Sequence, residues 1–356
     1  MNAKERILAL LQGEEVDRPA CYSGMGNVTT AGLDSLGYKF AEVHSNAKMM
    51  ADTAATSHKL YGYDCAVVPF DVCLEAEALG CLMNPYEGVE TLLYPTIKEK
   101  VINSEEEMTT FTIPDNIASR GRIPLVSEAI GLLQKDIGEN VAIGTYVLGP
   151  FTLAGQLMDL NTLFKLAFKK PDKVNALLDR LADVIIDTAK ALRAAGADYV
   201  CVREMGATPD VLSPKIFRQV IFPHLLKIET ALKDIPTILH ICGGTNLIMT
   251  IIKEVGANAI SIEKKNNMQK TREDIGEEVL IFGNVDSFNI LANGTPEEVE
   301  KATIEALEAG VDAVWPSCDI WPTAPIENLK KMVETVEKYG TAKWVRGNKE
   351  VSGERH

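Results

Sequence analysis

No apolar run in this sequence approaches the roughly 20 residues that a membrane-spanning helix needs. The N-terminus, Met1-Asn2-Ala3-Lys4-Glu5-Arg6, also lacks the apolar stretch of a signal peptide. Positive charge is scarce: 36 Lys and Arg against 50 Asp and Glu leave a net charge of −14. That balance argues against nucleic acid and anionic membrane surfaces as partners. The 7 cysteines are odd in number and scattered, so they do not form a disulfide framework. Together these absences predict a soluble cytoplasmic protein in a reducing compartment, where thiolates stay available for metal.

What is present is enough for one large core. The chain has 356 residues and is 46% hydrophobic, within the range of a single large α/β barrel. Four segments share one grammar: Gly62-Tyr63-Asp64-Cys65, Gly196-Ala197-Asp198-Tyr199, Gly256-Ala257-Asn258-Ala259 and Gly310-Val311-Asp312-Ala313. Amphipathic stretches such as 174–193 and 297–307 precede them. The glycine can take the left-handed conformation that ends a helix, the Asp or Asn makes the turn, and an apolar run begins. Thr295-Pro296-Glu297-Glu298 supplies an N-cap, a first-turn proline and a capping-box glutamate, and Pro214 and Pro325 also mark helix starts.

Apolar runs at 20–23, 65–70, 141–147, 199–203, 237–241, 259–262, 279–282 and 313–316 read as eight strands buried on both faces. The expected fold is α/β: residues 1–356 as a single (β/α)8 TIM barrel domain, with a β-hairpin inserted after the second strand, between residues 75 and 114. A doubly wound sheet is the competing architecture, and no Gly-rich phosphate fingerprint follows the first strand to support it.

In a barrel, chemistry gathers at the C-terminal strand ends. His240 and Cys242 close the fifth run, Glu263 follows the sixth, Asn284 and Asp286 the seventh, and Cys318 ends the eighth. In His240-Ile241-Cys242 the side chains two apart share a direction. Two thiolates and an imidazole form the ligand set of a Zn2+ site with one position open, which suits chemistry rather than a structural staple. The competing reading is a reduced site without metal. Gly243 and Gly244 free the backbone and leave room for a ligand. Tyr146, Arg203 and Glu204 are expected at the mouth, with Arg203 either holding an anionic group of a substrate or pairing with Glu204 or Asp210. Asp286 reads as an orienting partner for a ligand or as a turn cap. Cys21, Cys65, Cys73, Cys81 and Cys201 read as buried small hydrophobes.

The motifs Gly13-Glu14-Glu15-Val16-Asp17-Arg18-Pro19, Gly283-Asn284-Val285-Asp286 and Pro325-Ile326-Glu327-Asn328-Leu329 make the chain, from Arg6 to Gly340, resemble the uroporphyrinogen decarboxylase superfamily. His240-x-Cys242 with Cys318 resembles its branch of corrinoid-dependent zinc methyltransferases, of the methylcobamide:coenzyme M type. The decarboxylases need arginines just after the first strand, but this stretch reads Tyr22-Ser23-Gly24-Met25-Gly26-Asn27. The resemblance implies methyl transfer between a corrinoid, carried on a partner protein, and a thiol or other carrier. It also implies that Glu263 can fill the open metal position before substrate arrives. Coenzyme M, another thiol and tetrahydrofolate are all open as acceptors, as is the reverse direction from a methylated donor. A non-catalytic corrinoid- or tetrapyrrole-binding barrel and a uroporphyrinogen decarboxylase are the remaining alternatives.

Overall fold

The computed structural model describes residues 1–340, so 341–356 of the expected domain lie outside the described residues. Its strands are β1 (Ala20–Cys21), β2 (Cys65–Val68), β3 (Leu82–Asn84), β4 (Thr96–Glu99), β5 (Ala142–Leu148), β6 (Tyr199–Glu204), β7 (Thr237–Ile241), β8 (Ala259–Ile262), β9 (Leu280–Val285) and β10 (Ala313–Pro316). Every apolar run named from the sequence contributes one strand. Eight of them form one parallel sheet in the order β1-β10-β9-β8-β7-β6-β5-β2. That order follows the chain with no reversal, so the sheet is not doubly wound. β3 and β4 pair with each other as a separate antiparallel sheet in the interval between β2 and β5.

The four repeated glycines all hold positive φ, at 82°, 119°, 88° and 86° for Gly62, Gly196, Gly256 and Gly310. The polar residue two positions later does more than turn the chain. Its side chain accepts a backbone N–H from the preceding sheet strand or the residue at its start. Asp198 takes Ile143 at 2.8 Å, Asn258 takes Thr237 at 2.9 Å, Asp312 takes Ile281 at 2.9 Å, and Asp64 takes Cys21 at 2.8 Å. The first three join strands that are ladder neighbours. The fourth joins β1 to β2, the two edges of the sheet. Asp64 N–H also donates to the Cys21 carbonyl at 2.9 Å, so the edges meet. Arg18, from the opening motif, forks onto both Asp64 oxygens at 3.0 and 3.1 Å and braces that seam.

Helices cover the outside for the reason their sequences give. Pro171–Ala194 buries Val174, Leu177, Leu178, Leu181 and Ile185 along one stripe. Pro296–Glu308 starts on the capping box of Thr295 and Glu298. Inside the sheet, Tyr22, Tyr199, Phe282 and Trp315 pack with Tyr22 ring centroids 5.0–5.7 Å from the other three. A Cβ on Gly26 would lie 1.9 Å from the Pro69 carbonyl oxygen. The segment after β1 is thus packed closely against the end of β2.

Candidate metal centre

The site is assembled by strand register. Arg203 on β6, His240 on β7 and Ser261 on β8 are direct neighbours across the sheet. Their side chains therefore leave the same face at the same height. His240 is fully buried. Cys242 repeats its direction two residues on, just past the end of β7. Cys318 lies two residues past β10 and is fixed from both sides by one hydroxyl: its N–H donates to Ser287 Oγ at 3.0 Å, and Ser287 Oγ donates to its carbonyl at 3.0 Å.

The imidazole of His240 and the sulfurs of Cys242 and Cys318 converge, each offering a ligand atom within 4.8 Å of the others. Cys242 Sγ lies 3.4 Å from His240 Nε2. Bonds of about 2.3 Å to sulfur and 2.0 Å to nitrogen at a tetrahedral angle put such atoms roughly 3.5 Å apart, the spacing of this pair. The opposite ring nitrogen, Nδ1, lies 3.0 Å from Ser261 Oγ. The hydrogen bond from Cys242 holds Cys318 well below the usual thiol range against the cost of burial, helped by His240 and the Arg203 charge. Cys242 is pushed up by that same contact and by burial.

A cavity of about 970 Å3 opens beside Cys318, lined among others by Tyr94, Glu263, Lys264, Asp286 and Asp319. Phe288 and Trp321, each half exposed, stand on its wall with ring centroids 5.0 Å apart. Glu263 lines this cavity but, among the described residues, is outside the converging set.

The remaining residues singled out from the sequence sit differently. Asp286 caps the turn that follows β9, accepting from the backbone N–H groups of Phe288 and Asn289 at 2.9 and 2.8 Å. Asn284 donates to the Glu263 carbonyl at 3.3 Å. Gly243 and Gly244 do not leave open space. A Cβ on Gly243 would lie 2.6 Å from Asp210, and Gly244 N–H donates to the same carboxylate at 3.2 Å. Glu204 does not face the mouth: it is buried, accepting from Phe151 and Thr152 N–H groups at 2.9 and 3.0 Å. Tyr146 is buried too, with its hydroxyl on the Asp71 carbonyl at 2.8 Å. Arg203 pairs with neither Glu204 nor Asp210. Its Nη2 donates to Asp319 at 2.7 Å, and its guanidinium lies 4.8 Å from the Tyr146 ring centroid. Asp210 is held by Lys265 instead, at 2.5 Å. Ser287 and Asp319 carried no spacing signal. Ser261 was visible only as part of the stretch leading to Glu263, because its partner depends on register.

Residues 2–339 match the uroporphyrinogen decarboxylase (URO-D) family. The chain is 32% identical over 338 residues to methylcobamide:CoM methyltransferase MtbA of Methanosarcina acetivorans, covering 94% of this chain and 98% of that protein. It is 31% identical over 347 residues to methylcobamide:CoM methyltransferase MtaA of Methanosarcina barkeri, covering 94% and 98%. A solved methyltransferase from Methanosarcina mazei superposes with a TM-score of 0.90 at 32% identity, covering 95% of this chain and 99% of that one.

Proposed function

The chain belongs to the uroporphyrinogen decarboxylase family, and from that premise we propose that it is a zinc methyltransferase moving a methyl group between a corrinoid protein and a thiol. The observation that carries this reading is the convergence of His240, Cys242 and Cys318, the last of which lines the large cavity. The names of the similar proteins, methylcobamide:CoM methyltransferases, support the reaction class. We take the parallel sheet as a closed barrel, with β3 and β4 as an insertion after its second strand, and the whole chain as one domain.

His240, Cys242 and Cys318 would hold zinc by one nitrogen and two sulfurs. Bound there, zinc would lower the pKa of an acceptor thiol, so that a thiolate is present near neutral pH. Ser261 fixes the His240 ring, and Ser287 fixes Cys318. Arg203 offsets the negative charge that two thiolates bring to a buried place. Glu263, on the cavity wall, would add a carboxylate to the three ligands while no acceptor is bound. Transfer forms a carbon–sulfur bond and breaks the carbon–cobalt bond, whose electron pair leaves with cobalt(I). No proton has to move to or from carbon.

The corrinoid is read as arriving on a separate protein that covers the cavity. The paired rings of Phe288 and Trp321 suit contact with the face of a macrocycle. Seven free cysteines, two of them in the metal set, suit a reducing cytoplasm. Among the described residues no helix is long and apolar enough to cross a membrane.

The test is methyl transfer from methylcobalamin to a panel of thiols and to tetrahydrofolate, followed by loss of the methyl–cobalt absorption. Turnover with a thiol is expected. No transfer to any acceptor would leave a binding barrel, and transfer to tetrahydrofolate alone would overturn the thiol assignment.

A further inference from the structure

Of the three converging ligands, Cys242 is the one that its strand does not hold. His240 lies within β7, between Arg203 and Ser261, and Cys318 is fixed by Ser287. Cys242 stands past the end of β7 and is followed by Gly243, at φ 84°, and by Gly244. Two consecutive glycines give that stretch wide backbone freedom. A group outside the loop must therefore set where the Cys242 sulfur sits.

Asn266 meets that need. It is 6% exposed, and its amide is used to capacity, with two donors and two acceptor sites engaged. Nδ2 donates to the Gly243 carbonyl at 3.0 Å and to the Glu263 carbonyl at 3.1 Å. Oδ1 accepts from Thr245 N–H at 2.6 Å and from Thr245 Oγ1 at 3.1 Å. One side chain thus grips both flanks of Gly244 and ties them to the loop that carries Glu263. The Glu263 carbonyl is held further by Asn266 N–H at 3.1 Å and by Asn284 Nδ2 at 3.3 Å. Its backbone is pinned, while the residue lines the cavity. From the other side of the Cys242 loop, Asp210 takes Gly244 N–H at 3.2 Å, but that carboxylate and its partner Lys265 are half exposed. An exposed pair of this kind contributes little, so the buried amide sets the position.

We propose that Asn266 is a positioning residue that fixes the Cys242 loop and the Glu263 loop as one body. Exchange at the metal is then a rotation of the Glu263 side chain, with the Cys242 sulfur held still. The inference rests on the reading of His240, Cys242 and Cys318 as metal ligands. It adds to that reading the residue that sets two of the groups around the metal.

The test uses the isosteric Asn266→Asp. It keeps an acceptor toward Thr245 and loses both side-chain N–H donors, so the Gly243 and Glu263 carbonyls face an oxygen. Zinc affinity of the full chain, by competition with a chromophoric chelator, should fall about tenfold or more, the scale of losing a partner that orients a metal ligand. In the cobalt(II)-substituted chain the visible bands, which report ligand geometry, should change shape. A role in folding alone would lower the urea midpoint and leave both readouts as in the wild type, and that result would overturn the proposal. Thr245→Val removes one of the four bonds and should lower zinc affinity several-fold, the scale of one neutral hydrogen bond. It carries the test if Asn266→Asp does not fold, and unchanged affinity there would be equally decisive against the proposal. In a Glu263→Gln chain, Asn266→Asp should cost less than in the wild type, because one of its two loops no longer carries a ligand; equal losses would overturn the joint role. Absence of a sulfur-to-cobalt charge-transfer band in the wild type would instead overturn the metal reading itself.

Discussion

His240 Nδ1 lies 3.0 Å from Ser261 Oγ, while the far side of the same ring, Nε2, lies 3.4 Å from Cys242 Sγ. The serine thus holds one nitrogen so that the other faces the sulfurs, the arrangement by which an outer hydrogen bond fixes a metal-binding imidazole. Ser261→Ala should weaken zinc binding by about 10- to 100-fold without unfolding the chain. Competition with a chromophoric chelator measures this; unchanged affinity would mean that packing alone orients the ring.

The filled segment after β1 gives a second expectation. A Cβ on Gly24 would lie 2.3 Å from Cη2 of Trp315, a ring already enclosed by Tyr22 and Phe282. Gly24→Ala should therefore cost about 1–3 kcal/mol or more through overpacking, read as a lower urea midpoint. An unchanged midpoint would mean that the indole has slack.

A third concerns pH. Glu229 is buried, with Thr237 Oγ1 on one oxygen at 2.5 Å and no partner for the other. Burial pushes its carboxyl up to about 7 from an ordinary 4.5, against the pull of the Thr237 hydrogen bond. Between those values the folded chain keeps a proton that the unfolded chain gives up. The stability this group contributes is complete below about 4.5 and is lost as pH rises through about 7. Wild type should lose on the order of 3 kcal/mol relative to Glu229→Gln across that window. Parallel pH profiles for the two chains would contradict it.

The resting ligand assigned to Glu263 gives a fourth. Glu263→Gln should change the light-atom ligands in the zinc X-ray absorption spectrum of the resting protein more than in the thiol-bound protein. Equal changes in both states, or none in either, would remove Glu263 from the metal.

Much of this architecture was legible in the sequence because its signals are local. Apolar runs marked the eight strands of the sheet, repeated glycines marked the loops before four of them, and the period of two in His240-Ile241-Cys242 put both side chains on one face. What was not legible depends on which strands become neighbours. Ser261 acquires its role only once β7 and β8 are in register. Arg203 finds Asp319 across 116 residues, where its sequence neighbours Glu204 and Asp210 had seemed natural partners. The Asp and Asn of the repeated loops were read as turn formers, yet they also tie adjacent strands together. Gly243 and Gly244 were read as making room for a ligand, and the loop carrying Thr208 and Asp210 takes that room.

The central claim is that His240, Cys242 and Cys318 hold a zinc ion whose remaining position takes the acceptor thiol. Zinc-edge X-ray absorption on the purified chain, before and after saturation with 2-mercaptoethanesulfonate, tests it most directly. About one zinc per chain is expected, absent from Cys242→Ala and Cys318→Ala. One additional Zn–S contact at about 2.3 Å is expected when the thiol is added. Full zinc occupancy in both variants, or a sulfur count that saturating thiol does not change, would contradict it.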